Sequence, residues 1–447
     1  MRILHTSDWH LGRTFHGMLL EDAHAAFADH LLEVVADQQV DAVLVSGDVY
    51  DRAVPPHESV ALLDSTLRRL TERTRVVLTP GNHDSARRLG FASELLGEGL
   101  VIQARTAGLD RGLELPDGEG GVGAIIHALP YLDPDAARES LPPLLADRLG
   151  EEVAGEAVGE PGEDGQEPVQ GAAGGGRVRL PRSHAAVVGA ALRLVAADLA
   201  RRRRARSQRV PSLLMAHAFV VGGQASESER DIRVGGVDSV PSEVFATLGG
   251  SDLVEASGGL DYVALGHLHR PQEIGLPQEI GLPREVGTRA GSPRLVYSGS
   301  PLALSFQEAV QAKSTVLVEL GPSGVTRLEQ IAVPVRHPVR TLTGTMEALL
   351  SSAYDDAVSA WVRVVLTGER PAGALALLKR RFPTLLSFTH EAPAGPARER
   401  VTVTRAADPV EVTTRFLAAV GSRPPGAAEQ EVVTAAHTQV LTTRRSA

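Results

Sequence analysis

The sequence predicts an α/β fold for residues 1 to about 330, followed by a smaller α/β unit and two helices at the chain end. Three observations predict it. Short β-branched runs alternate with amphipathic helical patterns through the first 135 residues, and strands and helices recur after residue 183. Five apolar runs each end at once in a side chain able to hold a metal. Glycines 47, 81 and 266 stand beside three of those ends, where the backbone has to turn sharply.

Arg2-Ile3-Leu4-His5-Thr6 opens the chain as a strand. Glu21–Val35 and Ser59–Arg73 carry apolar residues at helical spacing, and Ala42–Ser46 and Arg75–Thr79 read as the buried strands beside them. Between Glu151 and Gly176 stand seven acidic residues, eight glycines and no basic residue. Such a segment buries too little apolar surface to offset its ordering entropy, so a disordered acidic insertion is expected at about 150–180. Ser183–Arg206 reads as a helix ending in Arg201-Arg202-Arg203-Arg204. Those cations suit a helix C-terminus, and four in a row cannot all face one groove; gripping DNA phosphates is the weaker reading. Further strands are expected at Ser212–Ala216, at Asp261–Leu265 and near Leu295–Tyr297.

Pro271–Leu276 and Pro277–Leu282 are the same hexapeptide, and Pro283–Gly287 is a degenerate third copy. Two and a half copies cannot stack into a solenoid, so a duplicated surface loop over 271–287 is expected. Residues 335–405 read as the smaller α/β unit, with strands at Trp361–Leu366 and Arg400–Thr404 and a helix at Ala372–Arg381. Over 408–445, Asp408-Pro409 opens a helix with an acidic cap and a proline at its first position. A second helix, Ala427–Leu441, follows the Pro424-Pro425-Gly426 break.

Composition narrows the function classes. At 447 residues, 43% hydrophobic and 22% charged, the chain has the balance of a globular protein with more than one core. It contains no cysteine, which excludes disulfides and thiolate-bound zinc. No signal peptide precedes the first strand and no run of about 18 apolar residues offers a membrane span, so a cytoplasmic protein is expected. A net charge of −10 is unlike a free-standing DNA binder, although a catalytic subunit can borrow phosphate-binding surface from a partner.

The chemistry lies in five segments of one grammar, an apolar strand and then a metal-capable side chain. They run into Asp8-Trp9-His10, Gly47-Asp48, Gly81-Asn82-His83-Asp84, His217, and Gly266-His267-Leu268-His269. Ligands bind beyond the carboxyl ends of strands in α/β sheets, so these ends are expected to meet in one crevice. Imidazole, carboxylate and one amide oxygen, without sulfur, suit Mn²⁺, Mg²⁺ or Fe²⁺ better than a closed zinc site. Two such cations roughly 3.5–4 Å apart can clamp a phosphodiester. Trp9 and Phe306 are expected to pack around the site and not to stack on bases.

These blocks resemble, in order, the signature blocks of the calcineurin-like metallophosphoesterases. More narrowly, His5-Thr6-Ser7-Asp8-Trp9-His10-Leu11-Gly12 and Tyr297-Ser298-Gly299-Ser300-Pro301, with Ser305-Phe306 beyond, resemble the SbcD family of bacterial nuclease subunits. The resemblance covers residues 1–445, with the acidic insertion and the duplicated loop as departures. It implies a sandwich of two packed sheets flanked by helices over 1–330, a small α/β capping domain over 335–405 and partner-docking helices over 408–445. It also implies a Mn²⁺-dependent exonuclease and endonuclease acting on double-stranded and hairpin DNA with an SbcC-type ATPase, as a homodimer within a heterotetramer. No Walker A pattern occurs in this sequence, so ATP binding would lie on another chain.

Carried over residue by residue, the resemblance gives Asp8, His10 and His269 to one metal and Asn82, His217 and His267 to the other, with Asp48 bridging. It makes His83 a group that ligates neither metal and either donates a proton to the leaving oxygen or stabilises charge on the phosphate, and Asp51 the group that orients His83 through its ring nitrogen. Two other functions fit the same scaffold: a small-molecule phosphodiesterase or phosphatase, and a non-catalytic scaffold for the ATPase. The narrower resemblance and the extra C-terminal unit speak against the first. The complete ligand set with His83 speaks against the second.

Overall fold

The computed structural model describes residues 1–118, 120–150, 156–158, 177–232, 239–275, 284–285, 292–391, 408–420 and 425–445. The chain divides into two compact units, one of Met1–Thr341 with Asp356–Arg363 and Thr384–Ser387, the other of Leu342–Asp355, Val364–Pro383 and Phe388–Ala447.

The first unit is a sandwich of two sheets. The seven-stranded sheet runs in the order Arg284–Glu285, Gly324–Ala332, Ser314–Gly321, Arg2–Thr6, Ala42–Ser46, Arg75–Thr79, Leu100–Ile102. The six-stranded sheet runs Gln272–Glu273, Arg294–Tyr297, Tyr262–Gly266, Ser212–His217, Val122–Ala128, Leu113–Pro116. Alternation along each strand decides what each face buries. Ala42 and Leu44 point inward to meet Ile126, Leu213, Met215 and Ala264 of the facing sheet. Val43 and Val45 point outward onto Phe27, Leu31, Leu63, Leu67 and Leu70. Those residues belong to the helices Glu21–Asp37 and His57–Thr71. The outer face of the second sheet, through Leu214, Ala216, Val263 and Leu265, is covered in the same way by Leu141, Leu145, Val187 and Val195. These come from the helices Pro134–Leu149 and His184–Arg204. Helix, sheet, sheet, helix is the resulting order of layers.

Several expectations change. The acidic insertion lies outside the described residues except for Glu156–Val158, which is a strand and not disordered coil, paired antiparallel with Arg177–Arg179. The duplicated hexapeptide is not wholly a surface loop. In its first copy Gln272 and Glu273 are buried and add an edge strand beside Arg294–Tyr297, and in its third Arg284–Glu285 pairs with the strand Gly324–Ala332. The second copy lies outside the described residues, as does the strand expected at 400–404. The arginine cluster is largely committed to the protein itself. Arg202 pairs with Asp198 at 2.6 Å and Glu114 at 2.5 Å, Arg206 with Glu114 at 2.5 Å, and Arg201 with Asp198. Arg203 donates to Ser212 Oγ at 3.0 Å.

Within the second unit Leu349, Val364, Leu366, Leu378 and Phe382 are buried. Its C-terminal helices, Pro409–Val420 and Ala427–Arg445, leave Phe416, Leu417, Val432 and Val440 exposed.

Candidate metal centre

Three parallel neighbours of the first sheet, Arg2–Thr6, Ala42–Ser46 and Arg75–Thr79, deliver Asp8 and His10, Asp48, and Asn82 and His83 from their carboxyl ends. Two parallel neighbours of the second, Ser212–His217 and Tyr262–Gly266, deliver His217, and His267 and His269. The five ends therefore meet across a sandwich, where an open sheet would have offered a single crevice.

The backbone at these ends is strained. Asp8, His10, Asp48 and His267 have φ of +54°, +47°, +49° and +106°, a region that residues with a Cβ rarely occupy. Such conformations persist where surrounding bonds over-determine them, and they cluster at functional sites. Here Asp8 N–H donates to Gly47 O at 3.0 Å, His10 N–H to Asp48 O at 3.0 Å, and His267 N–H to Asp8 Oδ1 at 3.0 Å. Close approach also requires glycine. A Cβ on Gly47 would lie 2.2 Å from His217 Nδ1, and one on Gly266 would lie 1.8 Å from Ser46 O. Substitution at either would push the two sheet ends apart.

What the side chains do with their lone pairs identifies the kind of ligand. His217 donates from Nδ1 to Ser46 O at 3.0 Å, which turns Nε2 toward Asn82 Oδ1 at 2.9 Å. His10 Nε2 and His269 Nε2 face each other at 3.1 Å. The carboxylate of Asp48 stands among them, its Oδ2 3.5 Å from His217 Nε2, 3.7 Å from His10 Nε2 and 3.9 Å from His83 Nε2. Acceptor facing acceptor in a buried place is unfavourable unless a proton or a cation sits between them. Donor atoms of Asp8, His10 and His269 lie within 4.8 Å of one another, as do those of Asp8, Asp48 and His217 and those of His10, Asp48 and His83. This buried set of nitrogen and oxygen donors fits divalent cations.

The electrostatics agree. Burial pushes the Asp8 carboxyl up to about 6, against the pull of His217 and His269. Burial would also raise Asp48, but His217, His10 and His83 outweigh it and hold Asp48 well below the usual carboxylate range. For His217 burial works downward, and Asp48 more than offsets it, carrying the imidazole to about 9. Two buried carboxylates and five imidazoles this close store repulsion that bound cations would relieve.

The calcineurin-like phosphoesterase family model matches residues 1–121. The SbcD subunit of nuclease SbcCD from Rhodobacter capsulatus is 34% identical over 354 residues, 76% of this chain and 71% of that protein. Its counterpart in Bacillus subtilis is 31% identical over 342 residues, covering 76% and 71% of the two chains. The chain belongs to the SbcD family. The SbcD of Escherichia coli K12 is 29% identical over 350 residues, 78% of this chain and 72% of that protein. Membership makes this SbcD-family chain a metal-dependent phosphodiesterase, a hydrolase acting on ester bonds.

Asp51 meets His83 by a different atom than the carboxylate. His83 Nδ1 donates to the main-chain oxygen of Asp51 at 2.8 Å, while the Asp51 carboxylate lies 3.5 Å from His10 Nδ1 and 3.2 Å from Arg13. Trp9 and Phe306 are packing groups: Trp9 is buried edge-on against Phe27, and Phe306 against Phe15.

Sequence reasoning missed the groups that brace the centre. Asp84 accepts from Gly81 N at 2.9 Å, Val49 N at 3.0 Å and Tyr50 N at 2.9 Å, tying the loop after Asp48 to the loop of Asn82 and His83. Burial, with Asp48 nearby, pushes its carboxyl up to about 7. Glu229 accepts from His269 N at 2.8 Å, and Ser228, Glu308 and Lys313 lie beyond. Asp84 ends the Gly81-Asn82-His83-Asp84 motif, but nothing in that motif gives it a role. The others carry no local signal, because a Glu or Lys in a loop reads as surface until its partner is known.

Proposed function

We propose that this chain is the Mn²⁺-dependent DNA nuclease of an SbcCD-type complex, a double-strand exonuclease and a single-strand and hairpin endonuclease acting with an SbcC-type ATPase in DNA end processing, repair and recombination. The observation that carries the reading is the Asp48 carboxylate, whose Oδ2 stands within 4 Å of three imidazole nitrogens drawn from different strand ends. Asp8, His10 and His269 would hold one ion and Asn82, His217 and His267 the other, with Asp48 shared. Ions held there would supply Lewis-acid stabilisation of charge developing on a phosphodiester. His83 is the protein's own proton donor. Its Nδ1 is held by Asp51 O, its Nε2 has no hydrogen-bond partner among the described residues, and its side chain is 13% exposed. That leaves Nε2 able to protonate a leaving oxygen.

The C-terminal helices support the partnership. Phe416, Leu417, Val432 and Val440 are exposed apolar groups on them, a form suited to docking on a helical partner such as the SbcC coiled coil. Residues 335–405 would serve as the capping domain. Phe91 and Leu95, 82% and 86% exposed just beyond the Gly81–Asp84 turn, support a homodimer within a heterotetramer. A cytoplasmic, nucleoid-associated location follows from the substrate; no described helix is long and apolar enough to cross a membrane.

One experiment tests the function and the docking together. The full chain and a truncation after Ala407 are assayed on linear duplex, on hairpin DNA and on a chromogenic phosphodiester, with and without the ATPase, in Mn²⁺ and in EDTA. EDTA is expected to abolish every activity. Truncation is expected to spare cleavage of the small diester while abolishing co-purification with the ATPase and ATP-dependent action on duplex. A truncated chain that still captures the partner at full yield would show that the helices are not the docking site.

The charge on His217 gives a second test. With its imidazole at about 9 in the ion-free protein, a proton occupies the site at neutral pH and must leave when a cation enters. Affinity for the Mn²⁺ ion that His217 would hold is therefore expected to rise from pH 7 to pH 9, by up to roughly tenfold per unit, with about one proton released as that ion binds. Calorimetry in buffers of different ionisation enthalpy reads that proton. A flat affinity over this range would count against His217 as a ligand.

A further inference from the structure

His269 Nε2 faces His10 Nε2 at 3.1 Å, so a cation bound there needs the imidazole proton on Nδ1. Nδ1 meets Ser228 Oγ at 2.5 Å. The same hydroxyl is hydrogen-bonded to Glu308 Oε1. An ionised carboxylate can only accept. Ser228 therefore gives its single proton to Glu308, and its oxygen is left to accept from His269 Nδ1–H. The direction of the chain is fixed from its far end.

That far end is built with care. Glu308 is fully buried, and its other oxygen accepts from Lys313 Nζ at 2.6 Å and from Leu304 N at 3.1 Å. Lys313, 5% exposed, also donates to His269 O at 2.9 Å and to Ser300 Oγ at 2.9 Å. One ion pair thus holds His269 twice, its ring through Ser228 and its main chain through the ammonium. A neutral pair of similar size would serve the fold as well or better, since burying two charges costs desolvation. It would not fix which way the Ser228 hydroxyl points.

We infer that Glu308, balanced by Lys313, is a positioning residue that sets the tautomer of His269 through Ser228 and so readies Nε2 for the cation. The inference rests on the metal-centre reading proposed above. In Glu308→Gln the amide can turn its NH₂ to Ser228. The hydroxyl then donates to Nδ1, and the ring proton moves to Nε2, where it blocks coordination.

Mn²⁺ titration calorimetry on the full-length protein, with nitrogen NMR of the histidine tautomers in the ion-free state, tests this. Glu308→Gln is expected to weaken one of the two bound ions by about ten- to a hundredfold and to leave the other unchanged. Lys313→Met alone leaves a buried carboxylate without its counter-charge and can fail to fold. The double variant Glu308→Gln/Lys313→Met removes both charges. It is expected to melt at or above the wild-type temperature without ions, yet still to bind the first ion weakly and to carry the proton of His269 on Nε2. A double variant that melts like wild type and binds both ions with wild-type affinity overturns the inference. His269→Ala marks complete loss of that ion. If it binds Mn²⁺ as wild type does, the metal-centre reading fails and this inference falls with it.

Discussion

His83→Leu is expected to keep its full complement of metal and to lose roughly a hundred- to ten-thousand-fold in turnover, the range that a positioned general acid supplies. The two halves of that result come from different parts of the residue. The His83 main-chain N–H donates to Asp48 Oδ1 at 2.9 Å, and this bond survives any change of side chain, so Asp48 stays where it is. The ring contributes something else. It is held by Asp51 O at 2.8 Å, and its Nε2 is 3.9 Å from Asp48 Oδ2 without a hydrogen-bond partner among the described residues. Leucine fills nearly the same volume and offers no proton. Metal analysis by mass spectrometry together with single-turnover cleavage separates the two effects. Full metal with a wild-type rate would show that His83 is not the acid, and loss of metal would make it a ligand.

The centre was more legible in the sequence than the fold that builds it. Ala42–Ser46 and Arg75–Thr79 are read to the residue because each is a short apolar run buried on both faces and bounded by turn chemistry. The side chains that follow sit at strand ends, where local sequence and three-dimensional position coincide. Which strands share a sheet is another matter. Arg2–Thr6 pairs with Ser314–Gly321 some 300 residues away, and no local period encodes such a partner. The strand in the first hexapeptide copy has the same cause, since Gln272 and Glu273 look like loop residues until Arg294–Tyr297 lies beside them. Ser228, Glu308 and Lys313 converge on His269 from segments about 40 residues to either side, and only the folded chain shows that their polar groups are consumed by one another.

Asp48→Ala is expected to strip both ions from the protein, a larger fall in occupancy than Asn82→Ala produces. Asn82 approaches His217 Nε2 at 2.9 Å and His267 Nδ1 at 3.2 Å, all on one side of the centre, so its loss should weaken one ion. Asp48 Oδ2 reaches His10 on one side and His217 on the other at nearly equal distances, 3.7 and 3.5 Å. If Asp48 is shared as proposed, removing it would take a ligand from each ion and also the negative charge that would screen two cations from each other. The loss should therefore exceed the ten- to hundredfold that removal of an outer hydrogen-bond partner costs. The fold is not expected to fail with it. Asp48 stands in a buried cluster with Asp8 and Asp84, and its charge helps to hold both of those carboxyls above their usual range. Deleting that charge relaxes this repulsion but also leaves the buried His217 imidazolium without its partner, so the ion-free Asp48→Ala protein should stay folded and melt below wild type at neutral pH. Equilibrium dialysis against Mn²⁺, run beside thermal melting of the ion-free proteins, reads both quantities. Equal occupancy in Asp48→Ala and Asn82→Ala would mean that Asp48 serves one ion and bridges nothing.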